Sequence, residues 1–375
     1  TLSPDVVSGR SYADGVWRCT GPRWSGSGPG AGPEGPFGQR LGWYCAERGE
    51  ERESLLPAGK ELAFAALGVR RCLGVRRGGR WIVCPYGAEI DGAVAKDQCA
   101  RCARLDRSRS VAADTMADDP RPYAVYLAYF GPGLLKVGIT AAERGAARLV
   151  EQGAVAYAWL GRGPLMAARR AEALLGSALG VPDRFAKEAK RMARGALPPL
   201  PERAGELAQL HRAARRLAGW PETLKPVEFA CGDHTELFGL ERIPAGGVVE
   251  LGGLTAGAEI VAEVVAGVGA DVYLRLAGEA GPEGRGAGDG AGRGGSGTGG
   301  SGVGGAEAGV SGAGVSGMGG AGTGGVVAVL DARLLAGWVL GAARGSVTTV
   351  PVRPATKGEM GEGRGEGEAG QEGLF

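Results

Sequence analysis

Between positions 278 and 325 the chain reads GEAGPEGRGAGDGAGRGGSGTGGSGVGGAEAGVSGAGVSGMGGAGTGG, and almost nothing in that stretch can be buried. A segment of this kind cannot offset the entropy of ordering it, so it reads as a flexible loop and whatever folds must fold around it. The sequences on either side are of the opposite character. GVVELGG, AEIVAEVVAGVG and ADVYLRLAG precede the block and VVAVLDARLLAGWVLG follows it, all with the apolar runs of short strands. The simplest account is one small β domain over 226–353 with the glycine block inserted in a loop, because closure entropy grows slowly with loop length. The tail, 354–375, and residues 20–38 (TGPRWSGSGPGAGPEGPFG) read as further flexible segments.

The remaining residues divide into two more ordered regions. Residues 1–110 alternate apolar runs with turns and carry most of the cysteines, and 120–217 hold a dense hairpin followed by helical sequence. The expected class is therefore α+β, with an N-terminal Cys-rich β module, a central mixed domain and a C-terminal β domain. A net charge of +2 creates no global field that would mark a nucleic-acid binder, although a local patch remains open. There is no basic-then-apolar N-terminal leader and no run of about 18 apolar residues. The expectation is a cytoplasmic protein with no membrane partner.

In a reducing compartment, closely spaced cysteines bind metal more often than they form disulfides. Cys99 and Cys102 form a C-x-x-C pair, a spacing that lets two thiolates reach one tetrahedral Zn²⁺. Cys72 and Cys84 flank LGVRRGGRWIV, a hairpin with Gly78-Gly79 at its turn, which can bring its ends together. The four sulfurs would then form a zinc-ribbon-like structural site. Cys19 and Cys45 read as core residues, although either could replace one of the four, and Cys231 stands alone. Arg70, Arg71, Arg76, Arg77 and Arg80, then Arg101, Arg104, Arg107 and Arg109, crowd this region, with Trp81 among them. They suit either a phosphate-contacting face or a solvated surface.

The hairpin is YAVYLAYFGPGLLKVGIT, 123–140. Tyr126, Ala128 and Phe130 should face opposite to Val125, Leu127 and Tyr129, with Gly-Pro-Gly as the turn. Thr140 and Glu143 have capping-box spacing and predict a helix from there to about Gln152, stopped by Gly153. AVAYAWLG reads as a third strand. Pro164 opens a helix over 165–179, Pro182 ends it, and helical sequence continues over 184–217.

This β-β-α-β-α order resembles the GIY-YIG nuclease superfamily, in particular its compact phage-type branch. VY at 125–126 looks like the first motif and KVGIT at 136–140 like the second, with Lys136 where many members have tyrosine. Arg148, with Arg144 one turn earlier as a second candidate, looks like the helix arginine, and Glu172 like the metal-binding glutamate. Together with the upstream cysteines, LKVGIT…R…EQGA…E is also similar to the bacterial domain-of-unknown-function family 2797, over most of the chain apart from the flexible loops.

The resemblance implies phosphodiester hydrolysis on nucleic acid. Glu172 would hold Mg²⁺ or Mn²⁺, Arg148 would grip the phosphate, and Tyr126 would act as or relay to a general base. Gly138, Thr140 and Arg144 would contact substrate, Gly138 by letting backbone come close. Lys136 departs from the pattern, since a charged lysine cannot serve as the base. It favours an alternative, a non-catalytic zinc-containing protein that binds nucleic acid through the same fold. A third reading is a structural adaptor contacting partners through the Gly-rich loop, but nothing in the loop's patterning supports it.

Overall fold

The computed structural model describes residues 15–25, 37–77, 80–106, 119–245, 248–277 and 325–354. The chain begins with an antiparallel meander, β1 (Trp17–Ser25), β2 (Gly38–Cys45) and β3 (Glu50–Leu55), followed by β4 (Glu61–Leu67). A small cysteine module comes next, with the hairpin β5 (Val75–Arg77) and β6 (Arg80–Ile82) and helix α1 (Ala100–Leu105). The central unit comprises β7 (Tyr123–Tyr129), β8 (Leu135–Ala141), α2 (Ala147–Gln152), β9 (Ala156–Gly163), α3 (Leu165–Leu179), α4 (Lys187–Arg194) and α5 (Leu200–Arg215). After β10 (Lys225–Pro226), β11 (Gly232–Asp233) and α6 (Thr235–Phe238) the chain enters β12 (Val249–Leu251), β13 (Glu259–Val268) and β14 (Asp271–Leu276). It ends with β15 (Val327–Asp331), β16 (Val339–Ala342) and β17 (Val352–Pro354). The expected α+β class holds, with strands predominating.

The long sheet has the order β16-β4-β13-β14-β15-β12-β17. Strands β14 and β15, on the two sides of the glycine block, pair antiparallel from Asp271↔Asp331 to Arg275↔Val327. The block itself, up to residue 324, lies outside the described residues. Both faces of this sheet are covered. Val272, Leu274, Ala328 and Leu330 pack with Cys19, Leu41 and Trp43 of the meander. Tyr273 and Val329, one residue out of phase, pack with Val125, Leu127 and Tyr129 of the central unit. A strand buried on both sides reads as a continuous apolar run, which is how VYLRL and VVAVL look.

Strand β4 belongs to the N-terminal segment, yet it lies between β16 and β13 in this sheet. Backbone pairing therefore crosses from the 1–110 region into 226–353. In the central unit β7 lies between β8 and β9, giving the expected β-β-α-β-α order. Its alternation is as expected too: Tyr126, Ala128 and Phe130 form one cluster, and Val125, Leu127 and Tyr129 belong to another.

Two local expectations fail. No helix starts at Thr140. That residue pairs with Ala124 in the β7–β8 ladder and is buried, a 3-10 turn follows at Ala142–Arg144, and α2 starts only after Gly145, whose φ is +49°. The capping box lost to strand pairing, which satisfies the same backbone groups over a longer reach. Residues 20–25 are strand rather than loop, because Trp24 is anchored by its Nε1–H to the Gly269 carbonyl at 2.7 Å and packs on Phe238; residues 26–36 lie outside the described residues. The helical sequence over 184–217 is two helices, α4 and α5, separated by a segment containing Pro198 and Pro199. Of the expected tail, 355–375 are outside the described residues.

The central unit is fastened to the long sheet by buried charge. Asp271 on β14 accepts from Arg191 and Arg194 of α4, the latter at 2.6 Å, and Arg191 also reaches Glu250 at 3.0 Å. The Arg194 guanidinium further donates to the Tyr273 hydroxyl at 3.1 Å. No helix among the described residues is long and apolar enough to cross a membrane.

Candidate metal centre and central cluster

The sulfurs of Cys72, Cys84, Cys99 and Cys102 all lie within 4.8 Å of one another. Cys72 follows β4, Cys84 follows β6, Cys99 caps α1 and Cys102 lies in its first turn. A tetrahedral Zn²⁺ with bonds of about 2.3 Å places its sulfurs about 3.8 Å apart, so the set could hold a metal ion such as zinc. The backbone is shaped for it. Cys99 N–H points at the Cys72 sulfur at 3.3 Å. At Gly74, φ is +102° and an added Cβ would run into the Ile82 carbonyl oxygen, so only glycine lets the two arms approach. Gly78 and Gly79, the expected turn, are outside the described residues, but β5 and β6 pair around them from Val75↔Ile82 to Arg77↔Arg80.

Burial pushes the Cys72 and Cys102 thiols up. Burial acts on Cys84 in the same sense, but hydrogen bonds from the Ala88 and Tyr86 backbone and from the neighbouring thiols outweigh it and bring Cys84 down to about 7. Cys19 and Cys45 are fully buried outside the cluster, as core residues. Burial drives the Cys19 thiol up to about 12, which leaves it protonated.

The arginines of this region do unlike things. Arg70 is 1 % exposed and works as a staple, donating to the carbonyls of Ala336 (2.7 Å), Asp91 and Val94 (both 2.6 Å) and Arg333 (3.1 Å). Arg71 donates to the Gly87 carbonyl at 2.7 Å. Arg70, being buried, is not part of an exposed phosphate-contacting face. Arg76, Arg77, Arg80, Arg101 and Arg104 are exposed, and Arg107 and Arg109 lie outside the described residues.

In the central unit Tyr126 is 2 % exposed and its phenol oxygen accepts from Gln152 Nε2 at 2.9 Å. It stands opposite Gly138 in the ladder, where an added Cβ would collide with the phenol ring. The room made by Gly138 is thus filled by Tyr126. Burial raises the Tyr126 pKa, with the Gln152 bond and the charges of Arg148 and Arg144 opposing and Glu172 reinforcing it. Burial and the nearby Arg148 hold Lys136 below the usual lysine value, while Asp183 and Glu172 oppose that shift. Glu172, half-buried on α3, is raised by burial, with Lys136 pulling it down and Asp183 pushing it up. Arg148 and Glu172 thus each act on both Tyr126 and Lys136.

Arg148 pairs with Glu151 at 3.7 Å, and Arg144 holds the same carboxylate at 2.7 and 2.8 Å, both arginine side chains being substantially exposed. Thr140, inside the strand ladder, is 2 % exposed. Glu151 also borders a cavity of about 240 Å³ lined further by Trp24, Asp97 and Arg333. Gln152 and Asp183 are not among the residues that the sequence marks as a site. Gln152 follows Arg148 by four, one helical turn, which is a legible signal. Asp183, in the loop after α3, pairs with Arg184 at 3.0 Å and acts on Lys136 and Glu172, and no local pattern marks it.

A family model described as a protein of unknown function (DUF2797) matches residues 59–277, a span holding both the four thiols and the residues Tyr126, Lys136, Arg148 and Glu172. No curated protein matches the chain, and no solved structure does.

Proposed function

This chain belongs to the DUF2797 family of proteins of unknown function, and we propose that it acts on nucleic-acid phosphodiesters through a GIY-YIG-like central site, with a structural zinc ion in the four-thiol centre. The observation that carries this reading is a group of side chains in the central unit that feel one another's charge: the half-buried carboxylate Glu172 acts on Lys136 and on the buried Tyr126 phenol, and Arg148 acts on the same two groups. Glu172, with Asp183 nearby, would hold Mg²⁺ or Mn²⁺, which take oxygen ligands, keep several waters and neutralise charge developing on a phosphate. Arg148 presents a guanidinium fork to phosphate oxygens. Tyr126 is held protonated by burial, so in this reading it donates or relays a proton rather than acting as a free base.

The test is incubation of the purified chain with single-stranded, duplex and branched nucleic acids, with and without Mg²⁺ or Mn²⁺. Metal-dependent cleavage is expected. Glu172→Gln should lower turnover by about a hundredfold or more while leaving nucleic-acid binding intact, and Arg148→Ala should weaken both. Turnover unaffected by Glu172→Gln would overturn the site. One observation favours a second reading, binding without cleavage: the phenol of Tyr126 is closed off and Lys136 stands where a second tyrosine would be. Binding with no turnover on any substrate in either metal would select it.

A further inference from the structure

The cysteine module wears apolar and aromatic side chains on its outside. Tyr86, two residues past Cys84, is 60 % exposed, and Ile82 is 53 % exposed. The Arg101 guanidinium, from the turn of α1 between Cys99 and Cys102, lies 4.6 Å from the Tyr86 ring centroid. This cation–π contact braces the ring, which still presents most of its surface to solvent. Arg77 and Arg80 stand opposite each other at the far end of the β5–β6 hairpin, and Arg104 is exposed on the last turn of α1. Among the described residues Arg77, Arg80 and Arg104 form no ion pair, whereas Arg76 reaches Glu51 at 3.3 Å. The hairpin is three residue pairs long, so its Arg77–Arg80 end lies only about 10 Å from the sulfurs at its base. The outer face of the module therefore carries a braced aromatic ring, an exposed isoleucine and three arginines with no ion pair among the described residues.

We propose that this face is a platform for single-stranded nucleic acid: Tyr86, braced by Arg101, stacks an unpaired base with Ile82 beside it, and Arg77, Arg80 and Arg104 take backbone phosphates. An exposed ring can stack only on a base whose own face is open, which a duplex hides, and uncompensated arginines call for a polyanion rather than an apolar protein surface. The proposal rests on the nucleic-acid reading above, and names where the strand is gripped, on residues other than Tyr126, Lys136, Arg148 and Glu172.

The experiment is fluorescence anisotropy with the full, metal-loaded chain and a short labelled single-stranded DNA, with its RNA counterpart and the matching DNA duplex as further arms. Tyr86→Ala should weaken single-strand binding about tenfold and Tyr86→Phe should restore it, with metal content and melting temperature unchanged in both. Arg77→Ala with Arg80→Ala should lower the slope of log affinity against log salt by about 1.4, the share of two phosphate contacts on a single strand. Glu172→Gln should bind like the unaltered chain, so that loss of cleavage and loss of the platform are read separately. Absence of single-strand binding by the unaltered chain overturns the platform. So does a duplex held as tightly as a single strand, or a Tyr86→Ala affinity within twofold of the original.

Discussion

Asp271 is the residue whose removal should be felt most. It is buried, and the guanidinium groups of Arg191 and Arg194 converge on it from α4. Burial alone would raise its pKa, but the two arginines win and hold it below the ordinary carboxylate range. Asp271→Asn keeps the shape and removes the charge, leaving buried Arg194 with no carboxylate and Arg191 with Glu250 alone, a change expected to cost about 3–5 kcal/mol in urea unfolding. The sign with pH follows. A depressed native pKa gives stability that is present above the unfolded value of about 3.9 and is lost as pH falls through the native value. Both histidines act in the same sense at a higher pH. His234 donates from Nδ1 to the Ala154 carbonyl at 2.8 Å, and His211 Nε2 lies 3.2 Å from the carbonyls of both Trp159 and Val227. Burial lowers both pKa values, so their contribution is complete above about pH 6.5 and fades below it. Urea midpoints should therefore fall in two stages on acidification, and the lower stage should shrink in the Asp271→Asn variant.

Among elements, the cysteine module is the one with least to hold it together. Its buried cluster is Cys72, Val75, Cys84 and Cys102, with Ala88, Ile90 and Cys99 packed around it. Three of those four buried side chains are thiols, so little apolar area is available to fold 72–105 without a metal. Zinc analysis of the purified chain should give about one ion per molecule. Chelation, or Cys99→Ser, should release it and remove amide-exchange protection from β5, β6 and α1, while β13 and β14 in the long sheet keep theirs. Full zinc retention by Cys99→Ser would rule out this ligand set. Gly74→Ala should mimic the loss, since its Cβ has no space against the Ile82 carbonyl.

At the scale of the whole molecule, the position of β4 decides what can be cut. It pairs with β13 from Glu61↔Glu263 to Ala65↔Glu259 and with β16 on its other edge. A fragment beginning after residue 110 would lose this strand and expose two unpaired edges over an open core. It should show no cooperative thermal unfolding, and a sharp transition from such a fragment would argue that 226–353 folds on its own. Replacing 278–324 by a short Gly-Ser turn is the opposite case. Strands β14 and β15 are already paired on both sides of it, and shortening a loop changes closure entropy only logarithmically, so the melting temperature should hardly move or should rise slightly.

Features that depend on neighbours along the chain were legible in the sequence. The two-sided alternation of β7, the αL stop at Gly153 and the helix over 165–179 follow from side-chain period and glycine conformation, which need no knowledge of what lies across the core. The four cysteines belong here too, because a hairpin and a C-x-x-C pair bring ligands together by local geometry. Features that depend on distant partners were not legible. Thr140 carried a helix-start pattern, but its strand pairing with β7 prevailed. Arg70 belonged to a basic run, but carbonyls from the far end of the chain turned it into a staple. Asp271 carried no signal at all, since its two arginines stand roughly 80 positions earlier. The β4 segment was placed with its sequence neighbours, and only the tertiary fold assigned it to a sheet built mostly from residues after 248. The physical reason is the same each time. Local conformational preferences amount to a kcal/mol or less per residue, whereas a buried strand edge or buried charge left without its partner costs several, so the long-range partner decides.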